Sequence, residues 1–336
     1  MRRHVTLLIV FVLAYSIFAS IADALESFKN NSPAYLKLTL DRQQAEDDYQ
    51  KALLEAKNKR QELSAQLSKL KSDNSHRESL KSFVNDFIDT YFALLEAQSA
   101  LETAQLNLQI AQIDYNEKKD LYEKGVGTLQ DLKNASATLI EASKDFDAAK
   151  LSFEQAKRDF ETLIGGNVKV EEPTKLNLNF SLPTVDQLMD KSITLAMARL
   201  NVQIAQMDLD GLVNPSQYTK NYYERNLKKA QADVQSYLQS LRKSYENQLQ
   251  TIQNTVKSIQ AQMEKIEVAK LQLETVQKNF AAGVASERDV LNAKLSHLNA
   301  RKAFLTQLKS LLKNVCAVYI DTEQDFSKVL STILGE

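Results

Sequence analysis

The chain has 336 residues, 43% of them hydrophobic and 25% charged, with a formal net charge of -1. That balance excludes a disordered chain, and it is neither basic enough for a nucleic-acid binder nor acidic enough for a solvating tail. Glycine (7), proline (4) and tryptophan (0) are scarce, which is the composition of long, uninterrupted helices.

In chain order, Met1-Arg2-Arg3-His4 precede an apolar run from Val5 to about Ile21, followed by Ala22-Asp23-Ala24. A basic start, an apolar middle and a small-x-small end make residues 1–24 a secretory signal peptide cut after Ala24. An uncleaved membrane anchor is the alternative, because the run approaches spanning length. No cysteine stands near the cut, so lipid attachment there is excluded. After this segment no second run is long enough for a transmembrane helix.

Residues 25–166 read as a first helical repeat. Leu25 to Lys29 is a short helical turn. Ser32 before Pro33 suits a cap followed by proline at the first helical position, and a helix is expected from Ala34 to Lys71. Ser72-Asp73-Asn74-Ser75 reads as a turn, with Ser75 and Glu78 capping a helix of about 70 Å that runs to Lys124. The chain then folds at Gly125-Val126-Gly127, and a return helix runs from Leu129 to Ile164 and stops at Gly165-Gly166.

The outgoing arm carries Leu94, Ala97, Leu101, Ala104, Leu108, Ala111, Tyr115 and Tyr122. The returning arm carries Leu132, Ala135, Leu139, Ala142, Phe146, Ala149, Phe153, Ala156, Phe160 and Leu163. Both rows step by threes and fours, the spacing of a coiled-coil seam. Alternating alanine with a large residue lets two helices approach closely while the large side chains fill the gaps.

The fold point has its own chemistry. Gly125 can take the left-handed conformation that ends a helix. Thr128, three residues before Asp131, supplies a capping hydroxyl for the next one. The device recurs 158 positions later: Phe280, Gly283, Val284, Ser286, Asp289, Val290, Asn292 and Ala293 answer Tyr122, Gly125, Val126, Thr128, Asp131, Leu132, Asn134 and Ala135. Ile252, Ile259, Ile266 and Ala269 likewise fall on Leu94, Leu101, Leu108 and Ala111. The chain is an internal duplication.

Residues 167–183 join the halves. Leu176, Leu178, Phe180 and Leu182 alternate with Asn177, Asn179 and Ser181, which predicts an extended linker lying along the helices, since a lone strand has no sheet to join. Residues 184–320 form the second repeat. Thr184 caps it with Gln187, and Leu200, Gln203 and Ala205 answer Leu40, Gln43 and Ala45 at an offset of 160. Gly211-Leu212-Val213-Asn214-Pro215 breaks the helix earlier than the turn expected in the first half, so the repeats are expected to differ at this end. A long helix follows to about Ala282, and a last arm runs from Glu287 to about Ile320. The tail, 321–336, has room for one more short helix.

Groups for catalysis are few. The mature chain holds His76, near an expected helix start, and His297, at the place of seam residue Leu139; both suit packed or partly exposed histidines rather than ligands. Cys316, the single cysteine, has no disulfide partner and reads as a small buried apolar residue. Carboxylates such as Glu117 and Asp120 sit beside Lys118 and Lys119, the pattern of a solvated helix face. No phosphate loop or nucleotide fingerprint occurs. The expectation is a protein that is not an enzyme, with no cofactor and no metal.

Two copies of a Gly-Val turn followed by a capped Asp-Leu/Val-x-Asn-Ala helix, in a secreted all-helical duplication, resemble the outer membrane efflux protein family, the TolC-like channels. The resemblance covers nearly the whole mature chain, from Asn30-Pro33 through both hairpins and the Leu163-Ile164-Gly165 close of the first half. It implies an all-α fold of two tandem antiparallel hairpins, in which three chains close a twelve-helix barrel across the periplasm. It also implies that the hairpin tips meet a periplasmic adaptor protein and, through it, an inner-membrane pump. The tip residues would be Gly125, Val126, Thr128, Asp131 and Leu132, with Gly283, Val284, Ser286, Asp289 and Val290. Turn building alone accounts for the glycines, the hydroxyls and the aspartates; apolar Val126 and Val284 at a loop tip suggest a contact.

Family members insert two strands per repeat to build an outer-membrane β-barrel, each strand needing about 9 to 11 alternating residues. Neither Lys71 to Arg77 nor Gly211 to Arg225 has room for such a pair. The expectation is a homo-oligomeric helical duct or docking element of an export system that lacks the barrel, with the trimer as its candidate assembly. The alternative is a coiled-coil spacer of the cell envelope that transports nothing. An adaptor-type hairpin protein would need flanking β-rich domains, and the sequence shows none.

Overall fold

The computed structural model describes residues 21–165 and 176–335. Among them are nine helices and no strand: α1 (Ile21–Asn31), α2 (Pro33–Glu55), α3 (Lys59–Glu123), α4 (Leu129–Ile164), α5 (Val185–Asp190), α6 (Ile193–Asp210), α7 (Gln217–Ala281), α8 (Glu287–Asp321) and α9 (Phe326–Leu334). The first twenty residues of the expected signal peptide, Gly166 at the close of the first repeat, and residues 167–175 of the linker lie outside the described residues. The helical part of the fold agrees with the all-α hairpin expectation.

Each helix after α1 begins at a polar cap. Ser32, Asn58, Thr128, Thr184, Ser192, Ser216, Ser286 and Asp325 each accept a backbone N–H from the first turn of the helix that follows. Each of these contacts satisfies one donor that the helix itself cannot. At Thr184 the full reciprocal box forms: Gln187 N–H donates to the Thr184 hydroxyl at 3.2 Å, and the Gln187 side chain accepts from Thr184 N–H at 2.8 Å.

The first-half turn is not where the sequence suggested. Ser72 to Ser75 lies inside α3, and Ser75 caps nothing. The break falls at Ala56-Lys57-Asn58, where Asn58 accepts from Gln61 N–H at 3.0 Å. A cluster of serine, aspartate and asparagine disfavours a helix by only about 0.7 kcal/mol per residue. Here α3 runs between α2 and α6, which pack against it, and that packing outweighs the local preference. Lys69 also bridges Asp73 one turn on, at 2.5 Å.

This relocation restores the symmetry that the sequence reading denied. Asn58 and Ser216 stand at the same 158-residue offset as Gly125 and Gly283, and α3 and α7 are both 65 residues long, about 100 Å. Three smaller boundaries also differ. α1 is longer than the expected turn. The helix expected to run unbroken from Thr184 is interrupted at Lys191, and Ser192 starts α6. His76 sits in mid-helix rather than near a start, where burial and then Arg42 hold its imidazole below the usual range.

The long helices lie side by side in the order α4, α3, α8, α7: α3 contacts α4 and α8, and α7 contacts α8, while α4 and α7 make no substantial contact. The predicted seam row of α4 faces inward, with every one of its residues from Leu132 to Leu163 buried or half-buried. The hairpins are otherwise open, and the main core lies at mid-height. It gathers α1, residues 83–95 of α3, Phe160 and Ile164 of α4, the last half of α8, and α9. Phe28 stacks on Phe83 at 4.1 Å, and Phe160 stands edge-on to Tyr91 at 5.9 Å. Cys316 is buried in this core, as expected, and burial pushes its thiol up.

The described end of the linker behaves as its alternation predicted. Leu176, Leu178, Phe180 and Leu182 pack on the core, while Asn177, Asn179 and Ser181 face solvent. Asn177 N–H donates to Ile333 O at 2.8 Å, and Tyr319 Oη donates to Ser181 O at 2.5 Å. Charges fasten the same level. Lys81 meets Asp321 at 2.7 Å with both side chains largely covered, and Glu323 accepts from Arg77 and Lys191.

Candidate functional site: the two hairpin tips

Both tips are built from the same backbone bonds. α3 ends as Gly125 turns to φ 74°, and α7 ends as Gly283 turns to φ 74°. Gly125 N–H donates to Tyr122 O at 2.9 Å and Val126 N–H to Leu121 O at 3.0 Å. Their counterparts are Gly283 to Phe280 at 3.0 Å and Val284 to Asn279 at 2.9 Å. This is the left-handed C-terminal turn that consumes the orphan carbonyls of a helix end.

The next helices start at once. Thr128 Oγ1 accepts from Asp131 N–H at 3.1 Å and donates to Asp131 Oδ2 at 2.7 Å. Ser286 and Asp289 close the full box, with Asp289 Oδ2 accepting from both the backbone N–H and the hydroxyl of Ser286. That backbone N–H first, and the hydroxyl second, hold the Asp289 carboxyl below its usual range. Leu132 and Val290 turn half-inward behind the caps, whereas Val126 and Val284 are 74% and 79% exposed at the apices.

The three-residue fold points, Gly125-Val126-Gly127 and Gly283-Val284-Ala285, differ at one position, Gly127 against Ala285. A Cβ on Gly127 would come within 2.9 Å of Tyr122 N. Ala285 carries that atom, and its bond to Asn279 O is 3.3 Å against 3.0 Å at Gly127: the turn yields by a few tenths of an ångström. Gly127→Ala should therefore cost under about 1 kcal/mol, because the stiffer unfolded chain offsets part of the crowding. Gly125→Ala meets no neighbour but forces a side chain into left-handed backbone, at a cost of about 1–2 kcal/mol. Thermal unfolding of the two variants should rank them in that order, and the reverse ranking contradicts the turn geometry.

Two features escaped the sequence reading. Arg288, at the start of α8, forms an ion pair with Asp114 of α3, tying one hairpin to the other just below the tips. It has no signature, because the partners are 174 positions apart. The second is a stripe on the free side of α4: Leu129, Ile140 and Leu151 are exposed. Their eleven-residue spacing marks a straight line along one helix face, a readable cue beside the inward seam. No cluster of histidine, cysteine, aspartate and glutamate able to hold a metal occurs among the described residues, and none of the helices there is long and apolar enough to cross a membrane.

Residues 57–166 match the family model described as outer membrane efflux protein. No curated protein matches the sequence. Among solved structures, a CusC structure described in terms of transmembrane channel formation is similar with a TM-score of 0.58 at 15% identity, covering 92% of this chain and 93% of that one. The outer membrane protein VceC from Vibrio cholerae gives 0.56 at 15% identity, covering 91% and 96%. A membrane protein from Pseudomonas aeruginosa gives 0.58 at 11% identity, covering 93% and 92%. Over residues 57–166 the chain is thus similar to outer membrane efflux proteins, and its described helices share a fold with those solved membrane and channel proteins.

Proposed function

We propose that this protein is the helical duct of an efflux or type I export system in the cell envelope, assembled from copies of itself, with its tips docked on a periplasmic adaptor that recruits an inner-membrane pump. The observation that carries this reading is the open layer α4-α3-α8-α7. Its two edge helices, α4 and α7, make no substantial contact with each other, and both glycine turns point to the same end. A layer with two free edges closes by pairing the α4 edge of one copy with the α7 edge of the next, and a trimer then makes a ring of twelve helices.

Val126 and Val284 support the docking part. Each turn is complete without its valine side chain, so those apolar groups stay in water at no benefit to the fold. A photoreactive residue at 126 or 284 should cross-link in cells to an adaptor identified by mass spectrometry. The same probe at Leu54, at the opposite end of the molecule, should not. Val126→Asp with Val284→Asp should weaken adaptor binding at least about tenfold. Binding that is unchanged in this double variant removes the docking claim.

A further inference from the structure

α2 is held to the molecule chiefly by α3, and it buries none of its own residues. A groove of about 280 Å³ lies open along their seam, lined by Asp41, Ala45, Asp48 and Ala52 of α2 and by Ala65 and Ser68 of α3. With so few apolar contacts, α2 belongs to the least stable part of the fold. Chain breaks at Ser32 and at Ala56-Lys57-Asn58 bound it, so it can shift as a unit without unwinding.

His76 of α3 stands in that seam. Its Nδ1 is shut off from solvent and has no hydrogen-bond partner; toward α2 the ring meets the Leu38 backbone. Protonation would turn Nδ1 into a charged donor with nothing to receive it, which is more costly than leaving a neutral ring nitrogen there.

The surrounding charges act in the same direction. Arg42 of α2 and Lys69 of α3 face the ring with the sign that protonation brings. Asp73 of α3 opposes them, but Lys69 already bridges it at 2.5 Å and also reaches Glu46 of α2 at 3.4 Å. Glu323, which acts on Arg42 from beyond α8, is shared by Arg77 and Lys191. Each acid in this set thus already holds a cation.

We propose that His76 is an acid-sensitive lock on α2: the neutral ring lets α2 lie on α3, and the protonated ring drives it off while the long hairpins stay folded. Burial and then Arg42 hold the docked ring below its ordinary value of 6.5, to which the released ring returns. Docking is therefore at full strength above that pH and weakens as the pH falls through it, by up to about tenfold per unit. The inference does not depend on the duct reading or on the tips.

The chain contains no tryptophan, and half-buried Tyr49 of α2 lines the seam, so Tyr49→Trp gives a single reporter in the full-length protein. Between about pH 7.5 and about pH 5.5 at constant ionic strength, its emission should shift to the red and its quenching by iodide should rise at least about twofold. Circular dichroism should stay unchanged over the same range. His76→Gln, which cannot take up a proton there, should abolish the response, and His297→Gln should keep it. His76→Arg should show the acid-state emission already at about pH 7.5. The proposal is overturned if the parent reporter does not respond, if the response survives His76→Gln, or if His76→Arg gives the parent's neutral emission.

Discussion

Phe87→Ala should lower the unfolding free energy by about 3–5 kcal/mol, the range for deleting a fully buried phenylalanine. Phe87 has no exposure, and its ring lies 5.6 Å from Phe28 of α1 and 6.4 Å from Phe160 of α4. Three helices therefore meet on this one side chain, so collapse into the void would have to move all of them together. Thermal unfolding followed at 222 nm, at fixed protomer concentration, should show a fall in Tm of about 10 °C. Phe146→Ala is the control, because that ring belongs to the half-buried hairpin seam and should cost less than half as much. Equal losses at the two sites would mean that stability is spread evenly along the hairpins, contradicting a core concentrated at mid-height.

What was legible before the coordinates were the features written in short-range chemistry. The α4 seam, the return helix from Leu129 to Ile164, and both glycine turns rest on side-chain periodicity and on residues three apart, so a single stretch of sequence contains the whole argument. The alternating linker is of the same kind, since Leu176 to Leu182 needed only a surface to lie on. Where the reading failed, the deciding partner lay elsewhere in the chain. Ser72 to Ser75 has turn composition, but α2 and α6 hold it in helix. Ala56-Lys57-Asn58 has neither glycine nor proline, and only its 158-residue register with Ser216 marks it as a break. Alignment of the second-half break back onto the first would have placed it.

The tips illustrate the same limit in function. Their caps and left-handed glycines follow from local rules, and the structure brings Gly125 through Leu132 and Gly283 through Val290 into two matching turns at one end. The pairing of the two hairpins by Arg288 and Asp114 does not follow, because an ion pair between distant segments leaves no periodic trace. The exposed apolar groups of the opposite end are hidden in a different way. Leu54 and Tyr218 look ordinary in sequence, and only the fold brings their two turns to one end of the molecule.

Ile140→Asp combined with Leu151→Asp should convert the assembled protein to monomer while leaving its helical content unchanged. Both side chains project into solvent from the free edge of α4, 68% and 65% exposed, so the isolated protomer loses no packing when they change. The other free edge offers matching apolar groups, Met263, Val268 and Leu271. Their depths correspond: Ile140 is eleven residues from the α4 start at Leu129, and Leu271 is ten from the α7 end at Ala281. Closing the edges would bury each side chain for about 1.5–3 kcal/mol, repeated at every junction of a ring. Two buried carboxylates per junction reverse that term, so assembly should weaken by more than about a hundredfold. Light scattering on the purified protein reads the outcome directly. A parent protein that is strictly monomeric at all concentrations defeats the duct and leaves the envelope spacer; a double variant that keeps the parent's assembled mass shows that copies meet through some face other than the α4 edge.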